Sequence, residues 1–455
     1  VRFSRTDISF GVNFSVLALV WYTGMLRNIP PDYKLIYAIP VIVSVLFFLL
    51  TFRLRRIFAA SGYRWFTLLM ATGFTGFEFL RQHLPTAQFA MLGTSQYSHP
   101  SVIQVASWFG VPGITFLVIM VNCTIALPLV PGFTPGRFKL HIAANLLIIA
   151  FLVSLNFILL NRPVVETGRI TASAVQLGLA PEAHNQGTLA VSAALMKEKK
   201  SAEATLFNLE IMEKLTARAV KDKAEIIVWP EIILLSDPFI TPAIKERISA
   251  LAVKSRAYIV VPFLEYDKNE IDKPHPSSTN GTWVVSPEGK YIFRYLKQHR
   301  VRAFGIEKGP AGTINDPPDT TLGRLGLFIC YDTDYNDLVI DQVNKGAEIL
   351  VIPTHDMAEF ITRHHPYMIM FRAVEHGRSM VKADFVHGTM ITDPRGRIIS
   401  DPADGTCVVT ADVPLCRTRT LFHVLAPLFG TACCFIFLAA ALLLSRKRSK
   451  DTALL

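Results

Sequence analysis

Six apolar stretches, each near the length of about 20 residues needed to cross a bilayer as a helix, constrain this chain more than any other feature. They run from Phe10 to Leu26, Leu35 to Phe52, Trp65 to Leu80, Val111 to Val130, Ile142 to Leu160 and Leu421 to Leu444. A buried helix of a soluble core rarely stays uncharged for so long, so the stretches read as membrane spans. A composition that is 51% hydrophobic points to the same class. Pro112 and Pro128 fall near the ends of the fourth stretch, where a missing backbone donor does least harm, while Pro40 lies inside the second and predicts a kink. Between the fifth and sixth stretches lie about 250 residues of ordinary globular composition, enough for one domain with its own core. The expected division is a membrane domain over 1–164 with five spans, a globular domain over 165–415, and a last span with a basic tail over 416–455.

The basic residues orient this path. Arg2 and Arg5, then Arg53, Arg55, Arg56 and Arg64, then Arg137 and Lys139, and finally Arg446, Lys447, Arg448 and Lys450 all fall on one side of an alternating six-span path. The opposite short loops carry only Arg27, Lys34 and Arg81. The excess of positive charge in cytoplasmic loops therefore places both termini in the cytoplasm and the globular domain outside. Much of the net charge of +10 serves this topology. No basic stripe interleaved with stacking aromatics is present, which argues against a nucleic-acid partner. The first span follows a basic start but lacks a small-residue cleavage site, so it is kept as a span although the chain begins with Val1.

Cysteine and histidine usage points away from a metal centre. Cys123, Cys433 and Cys434 lie in spans, and Cys407 and Cys416 are free to pair in an oxidising exterior. There is no pair of cysteines or histidines at metal-ligand spacing; His355, His364, His365 and His376 are scattered and read as surface or loop residues. No metal and no cofactor is expected.

From Gly168 onward, strand-like and helix-like segments alternate. Arg169 to Leu177 and Glu225 to Trp229 read as strands, with the amphipathic segment Ser201 to Lys221 between them as a helix. Pro242 to Lys254 reads as a second helix and Ala257 to Pro262 as a third strand. Thr282 to Val285 and Tyr291 to Leu296 form a hairpin across Ser286-Pro287-Glu288-Gly289-Lys290. Helix Asn336 to Lys345, strand Glu348 to Ile352, helix His365 to His376 and strands near Met380 to Phe385, Gly388 to Ile391 and Gly405 to Asp412 complete a layered α/β domain.

Three chemistry-bearing side chains close apolar segments of this domain. Glu231 follows Ile226-Ile227-Val228-Trp229-Pro230, Lys297 follows Tyr291-Ile292-Phe293-Arg294-Tyr295-Leu296, and Cys330 follows Leu325-Gly326-Leu327-Phe328-Ile329. A thiol attacks at neutral pH only with a lowered pKa or an adjacent base, which a lysine and a glutamate respectively supply. Taken alone, a cysteine at a strand end is more often a small buried hydrophobe.

In their order, Val228-Trp229-Pro230-Glu231, Tyr295-Leu296-Lys297-Gln298-His299 and Ile329-Cys330-Tyr331-Asp332 resemble the Glu-Lys-Cys motifs of the nitrilase, or carbon-nitrogen hydrolase, superfamily. Asn280-Gly281-Thr282, Arg372-Ala373-Val374-Glu375-His376-Gly377-Arg378 and Asp393-Pro394-Arg395-Gly396-Arg397 resemble its membrane-bound branch, the apolipoprotein N-acyltransferases. The resemblance covers roughly residues 63 to 415, although that branch usually carries one more N-terminal hairpin. It implies a nitrilase-like α-β-β-α sandwich inserted between membrane-spanning helices. It also implies that Glu231 is the general base, Lys297 the charge beside the oxyanion and Cys330 the nucleophile. Lys297, placed at the mouth of such a site, is expected to add little to folding.

Auxiliary roles fall by the same resemblance to Glu307, Tyr331 and Asp332. The run His299-Arg300-Val301-Arg302-Ala303-Phe304-Gly305-Ile306-Glu307 is longer than the family's His-Leu-Val-Pro-Phe-Gly-Glu. Asp332 stands where the branch usually has Glu, and Thr354-His355-Asp356-Met357-Ala358 replaces a string closer to Ser-Asn-Asp-Ala-Trp, changes expected in loops that meet substrate. Directly after Glu231, Ile232-Ile233-Leu234-Leu235 is either an apolar rim suited to acyl chains or the start of an element packing inward. Glu78 and Arg81, at i and i+3 near the end of the third span, are either functional ionisable groups at membrane depth or an interfacial salt bridge.

The implied activity is transfer of an acyl chain from a membrane phospholipid to the N-terminal amine of a diacylglyceryl-modified cysteine of an apolipoprotein, through a Cys330 thioester. The implied setting is a monomer in the bacterial inner membrane, with the catalytic domain on the periplasmic side of the lipid bilayer. Two other readings stay open: a membrane-tethered amidase or nitrilase with water as acceptor, and a catalytically silent membrane scaffold that keeps the fold.

Overall fold

The apolar runs of the globular part pair into two sheets. In this computed structural model residues 63, 65–83, 91–129, 133–178, 201–236, 242–270, 277–301, 309, 311–313, 316–356, 359–400 and 405–453 are described. The first two expected spans and Glu307 lie outside the described residues.

In chain order, the helices α1 (Phe66–Arg81), α2 (Ala106–Ala126) and α3 (Pro135–Asn161) precede strand β1 (Glu166–Gln176) and helix α4 (Ser201–Lys221). Strands β2 (Ile226–Val228) and β3 (Leu234–Ser236), helix α5 (Pro242–Ser255), and strands β4 (Tyr258–Tyr266), β5 (Ser278–Val285) and β6 (Tyr291–Leu296) follow. Then come β7 (Asp319–Thr320), β8 (Gly323–Leu327), α6 (Asn336–Asn344), β9 (Ile349–Thr354), α7 (Glu359–Ile369) and α8 (Phe371–His376). Strands β10 (Ser379–Asp384), β11 (Met390–Thr392), β12 (Ile398–Ser400) and β13 (Cys407–Cys416) lead to α9 (Phe422–Ala453). Two compact units result, one of Val1–Arg162 with Thr420–Leu455 and one of Pro163–Arg419.

In the first unit three helical stretches among the described residues are long and apolar enough to cross a membrane: Ala106–Leu129, Pro135–Asn161 and Phe422–Leu443. α1, at 16 residues, is about 24 Å long and shorter than the hydrocarbon thickness. Leu147, Phe151, Phe157 and Ile158 on α3, and Leu428, Phe435, Leu442 and Leu443 on α9, are exposed, as expected of surfaces solvated by lipid. α2 is broken at Gly110 (φ +67°), two residues before Pro112, so the chain enters the long apolar segment through a kink. Small residues let helices approach: a Cβ on Gly76 of α1 would lie 2.9 Å from the Cys434 backbone nitrogen of α9. Glu78 is a buried tie. Its carboxylate lies 3.6 Å from Arg81, accepts the Thr115 hydroxyl of α2 at 2.6 Å and accepts the Leu92 N–H at 2.7 Å.

The second unit contains the two sheets. One runs β13-β1-β2-β4-β5-β6, with β3 also on β4, and the other runs β12-β11-β10-β9-β8-β7. β1, β2 and β4 are mutually parallel, as are β8, β9 and β10, so the centre of each sheet is flanked by crossover helices. Alternation along the strands divides the apolar residues into two cores. Ile226, Val228, Val260 and Tyr295 from one sheet meet Leu325, Leu327, Val351 and Val381 from the other in a sheet-on-sheet core. On the outer face of the first sheet, Ile227, Ile259 and Val261 pack with Leu209, Met212 and Leu215 of α4 and with Ile248 and Ala252 of α5. Helices α6 and α8 pack against β8 and β10 of the second sheet. The result is the expected α-β-β-α sandwich.

The fold decides two points that the sequence left open. Cys407 and Cys416 sit at opposite ends of β13, opposite Gln176 and Glu166 of β1; nine strand steps separate them by about 30 Å, so they cannot pair with each other within the chain. Ile233, Leu234 and Leu235 are buried, two of them in the outer core, and β3 pairs with β4, so this segment packs inward rather than forming an apolar rim.

Candidate active site

Glu231 is delivered by the end of β2. Pro230, with no N–H, cannot extend the ladder, and the chain turns through Ile232 at φ +60°, an unusual backbone for a β-branched residue. The Glu231 N–H donates to the Thr354 carbonyl at 3.2 Å, tying this turn to the end of β9 in the other sheet. Its carboxylate is buried and receives the Lys297 ammonium at 2.8 Å and the Asn280 side-chain amide at 2.7 Å, both on Oε1.

Lys297 leaves β6 with its own N–H donating to the Asn280 carbonyl of β5 at 2.9 Å. Its side chain is 2% exposed. The lysine is therefore not a mouth residue but half of a buried ion pair, because the hairpin partner strand and the Glu231 turn close over it. Asn280 serves this pair twice, by backbone and by side chain. It stands in one of the family-like strings, but nothing in the sequence reveals its bond to Glu231, since the two are joined only by the sheet order.

Cys330 opens a 3-10 turn, Cys330–Asp334, just beyond β8. Its φ of +48° is left-handed, so the nucleophile candidate stands on a sharp, strained corner where strand gives way to turn. The residue as a whole is partly exposed, and its sulfur receives the His355 backbone N–H. Burial first, then the negative charge of Glu231, push the thiol pKa well above its ordinary range, and Lys297 only partly opposes them. At rest the group is a thiol with a carboxylate nearby.

Asp332, expected in a substrate-facing loop, is fully buried. It accepts the backbone N–H groups of Gln298 at 3.1 Å, His299 at 2.7 Å and Ile329 at 3.1 Å, and the Tyr295 hydroxyl at 2.8 Å. It thus locks the loop leaving Lys297 onto the corner carrying Cys330. Tyr331, partly exposed beside Cys330, accepts a hydrogen bond from the Tyr335 hydroxyl at 2.9 Å.

His365 and His376 are buried, which corrects their reading as surface or loop residues. His365 lies between Asp356 Oδ1 at 2.8 Å and Asp334 Oδ1 at 3.0 Å. Asp356 also meets the Lys382 ammonium at 3.3 Å, which reaches Asp384 at 2.9 Å, and Thr354 donates to Asp384. Cys330, Asp356 and His365 place ligand-type atoms within 4.8 Å of one another. They do not fit a metal, because both His365 ring nitrogens face carboxylate oxygens and leave no imidazole lone pair to offer. His355 stacks on Phe385 at 4.4 Å, and burial lowers its pKa to about 4, so its ring is neutral.

Residues 189–421, half of the chain, match the carbon-nitrogen hydrolase family, and residues 3–124 match the apolipoprotein N-acyltransferase N-terminal domain. The chain belongs to the carbon-nitrogen hydrolase family. It is similar to an apolipoprotein N-acyltransferase of Geobacter metallireducens, 27% identical over 405 residues that cover 82% of this chain and 73% of that one. It is also similar to a deaminated glutathione amidase of Escherichia coli, 28% identical over 234 residues, covering 47% of this chain and 86% of the amidase. Among solved structures, a carbon-nitrogen hydrolase from Helicobacter pylori aligns with a TM-score of 0.42 at 19% identity, over 55% of this chain and 90% of that one.

Proposed function

We propose that this protein transfers an acyl chain from a membrane phospholipid to the N-terminal amine of a diacylglyceryl-modified cysteine on an apolipoprotein. The observation that carries the proposal is the buried Lys297–Glu231 pair beside the Cys330 thiol, in a chain whose first part matches the N-terminal domain of apolipoprotein N-acyltransferases. The similarity to an N-acyltransferase extends over 82% of the chain, whereas that to an amidase covers only 47%.

Because the resting group is a thiol, attack needs a base, and Glu231 is the carboxylate in place. Glu231 takes the Cys330 proton as the sulfur bonds to the ester carbonyl carbon of the phospholipid. The oxyanion forms beside the Lys297 ammonium, which is already held and needs no reorganisation. Collapse breaks the ester C–O bond, and Glu231 returns the proton to the departing lysophospholipid oxygen. The acceptor amine then attacks the thioester and gives a proton to Glu231. The second tetrahedral intermediate expels the Cys330 sulfur, which recovers that proton. Glu231, Lys297 and Cys330 account for every proton and bond in these steps. Tyr331, partly exposed next to the sulfur, lines the substrate side, and the auxiliary role of Glu307 rests on its position in the sequence alone.

In this reading the protein is a monomer of the bacterial inner membrane, with both termini cytoplasmic and the α-β-β-α domain in the periplasm. The test is mass spectrometry of the purified protein mixed with phospholipid and then with a diacylglyceryl lipopeptide. An acyl adduct on Cys330 that moves to the lipopeptide amine is expected. Absence of the adduct in the wild-type protein sinks the proposal. Turnover of small amides with the lipopeptide untouched would instead identify a tethered amidase.

A further inference from the structure

We infer that His365 is a positioning residue for Cys330, holding the nucleophile turn and the loop beside it together and offsetting the Asp356 charge that opposes thiolate formation. The inference rests on Cys330 being the nucleophile of the reading above. His365 belongs to neither of the segments that it joins. Asp334 ends the 3-10 turn that begins at Cys330, and Asp356 follows His355, whose backbone N–H is directed at the sulfur. One imidazole, 2% exposed, bridges the two carboxylates at 3.0 and 2.8 Å.

Only imidazolium has an N–H on both ring nitrogens, so a histidine placed between two carboxylate oxygens is held in its cationic form. The surroundings agree. Burial disfavours the cation, but the negative charges of Asp356 and Asp334 outweigh it and raise the His365 pKa to about 10. Asp356, although buried, is held well below the usual carboxylate range by His365 and Lys382. Among the described residues, charged groups near the cluster include Asp384, which pairs with Lys382, and Glu231 with Lys297 across the sulfur; His355 is neutral.

Asp356 is one of the charges that raise the Cys330 pKa. A neutral residue at 365 leaves that charge less compensated and frees the two segments from each other. A residue that merely fills space would do neither.

Alkylation of Cys330 by iodoacetamide, read by peptide mass spectrometry on the full-length protein in detergent between about pH 6 and 10, reports on the sulfur without any acyl substrate. His365→Gln should move the alkylation profile upward by about half a pH unit or more. In single-turnover acylation it should lower the rate about ten- to a hundredfold, with little change in the phospholipid concentration at half-maximal rate, since His365 touches no substrate in this reading. Should His365→Gln fail to accumulate, Asp334→Asn/His365→Gln pairs amide with amide, leaves Asp356 without its imidazolium, and should show the same upward shift. An unchanged alkylation profile in whichever variant folds would overturn the inference, as would a loss of activity that only tracks the loss of folded protein. Alkylation needs no acyl donor, so failure of the transfer reading and failure of this inference give different results.

Discussion

Replacing Lys297 tests two roles at once, because its ammonium stands beside the sulfur and also neutralises a buried carboxylate. Lys297→Met should slow acylation by roughly two to three orders of magnitude, the usual worth of one preorganised donor. It should also destabilise the fold, because breaking a buried pair from one side costs about 3–5 kcal/mol. Single-turnover acylation compared at equal folded fraction separates the two effects. Near-wild-type acylation would mean that another cation serves the oxyanion. Lys297→Arg should not restore the rate fully, since a planar fork cannot place a point charge at the same spot beside Glu231.

At the scale of elements, the site depends on how closely β4, β5 and β6 approach at Gly281. A Cβ there would lie 2.5 Å from the Phe263 ring of β4 and 2.8 Å from the Tyr295 carbonyl oxygen of β6. The carbonyl belongs to the ladder and cannot swing aside, so Gly281→Ala should cost about 1–3 kcal/mol. It should also displace Asn280 and Lys297, which sit next to the strained pair; an unaltered melting temperature would argue that the strands can part there. The buried network between the turn after β8 and the loop after β9 makes a separate prediction about pH. The pKa of His365 is raised to about 10 in the fold, so the stability that it contributes is complete below its ordinary value near 6.5 and is lost as pH rises through about 10. Asp356 shifts the other way, and its contribution is present above about pH 4 and lost as pH falls further. Thermal unfolding across pH should show stability declining above neutrality, with a flatter alkaline limb in His365→Gln. An identical alkaline limb in both proteins would exclude His365 as its source.

For the molecule as a whole, the exposed apolar faces of α3 and α9 have no soluble explanation, because leucine and phenylalanine in such continuous exposure would drive association in water. A bilayer solvates them. In the proposed topology the clustered arginines and lysines set direction. Cysteine labelling of intact cells should find positions near Gly289 accessible from outside and positions near Lys447 only after permeabilisation. Both on one side would overturn the six-span path.

The last apolar span, expected over Leu421 to Leu444 and found over Phe422–Leu443, the helix Ser201–Lys221, the hairpin strand Tyr291–Leu296 and the order Glu231, Lys297, Cys330 were legible in the chain itself, whereas the third stretch folds into a 16-residue helix too short to cross. Each follows from local periodicity or from a short string, and such signals depend on neighbours a few residues apart. The burial of Lys297, the second attachment of Asn280, the locking role of Asp332 and the separation of Cys407 from Cys416 were not. The network of Asp334, Asp356, His365, Lys382 and Asp384 was hidden for the same reason. Its members come from a turn, a loop, a helix and a strand, and only the parallel register of β8, β9 and β10 brings them to one end of a sheet. Sequence alone named the groups proposed to do the chemistry. Tertiary structure decided which of them are desolvated and whose charge they feel, because both depend on contacts between residues far apart in the chain.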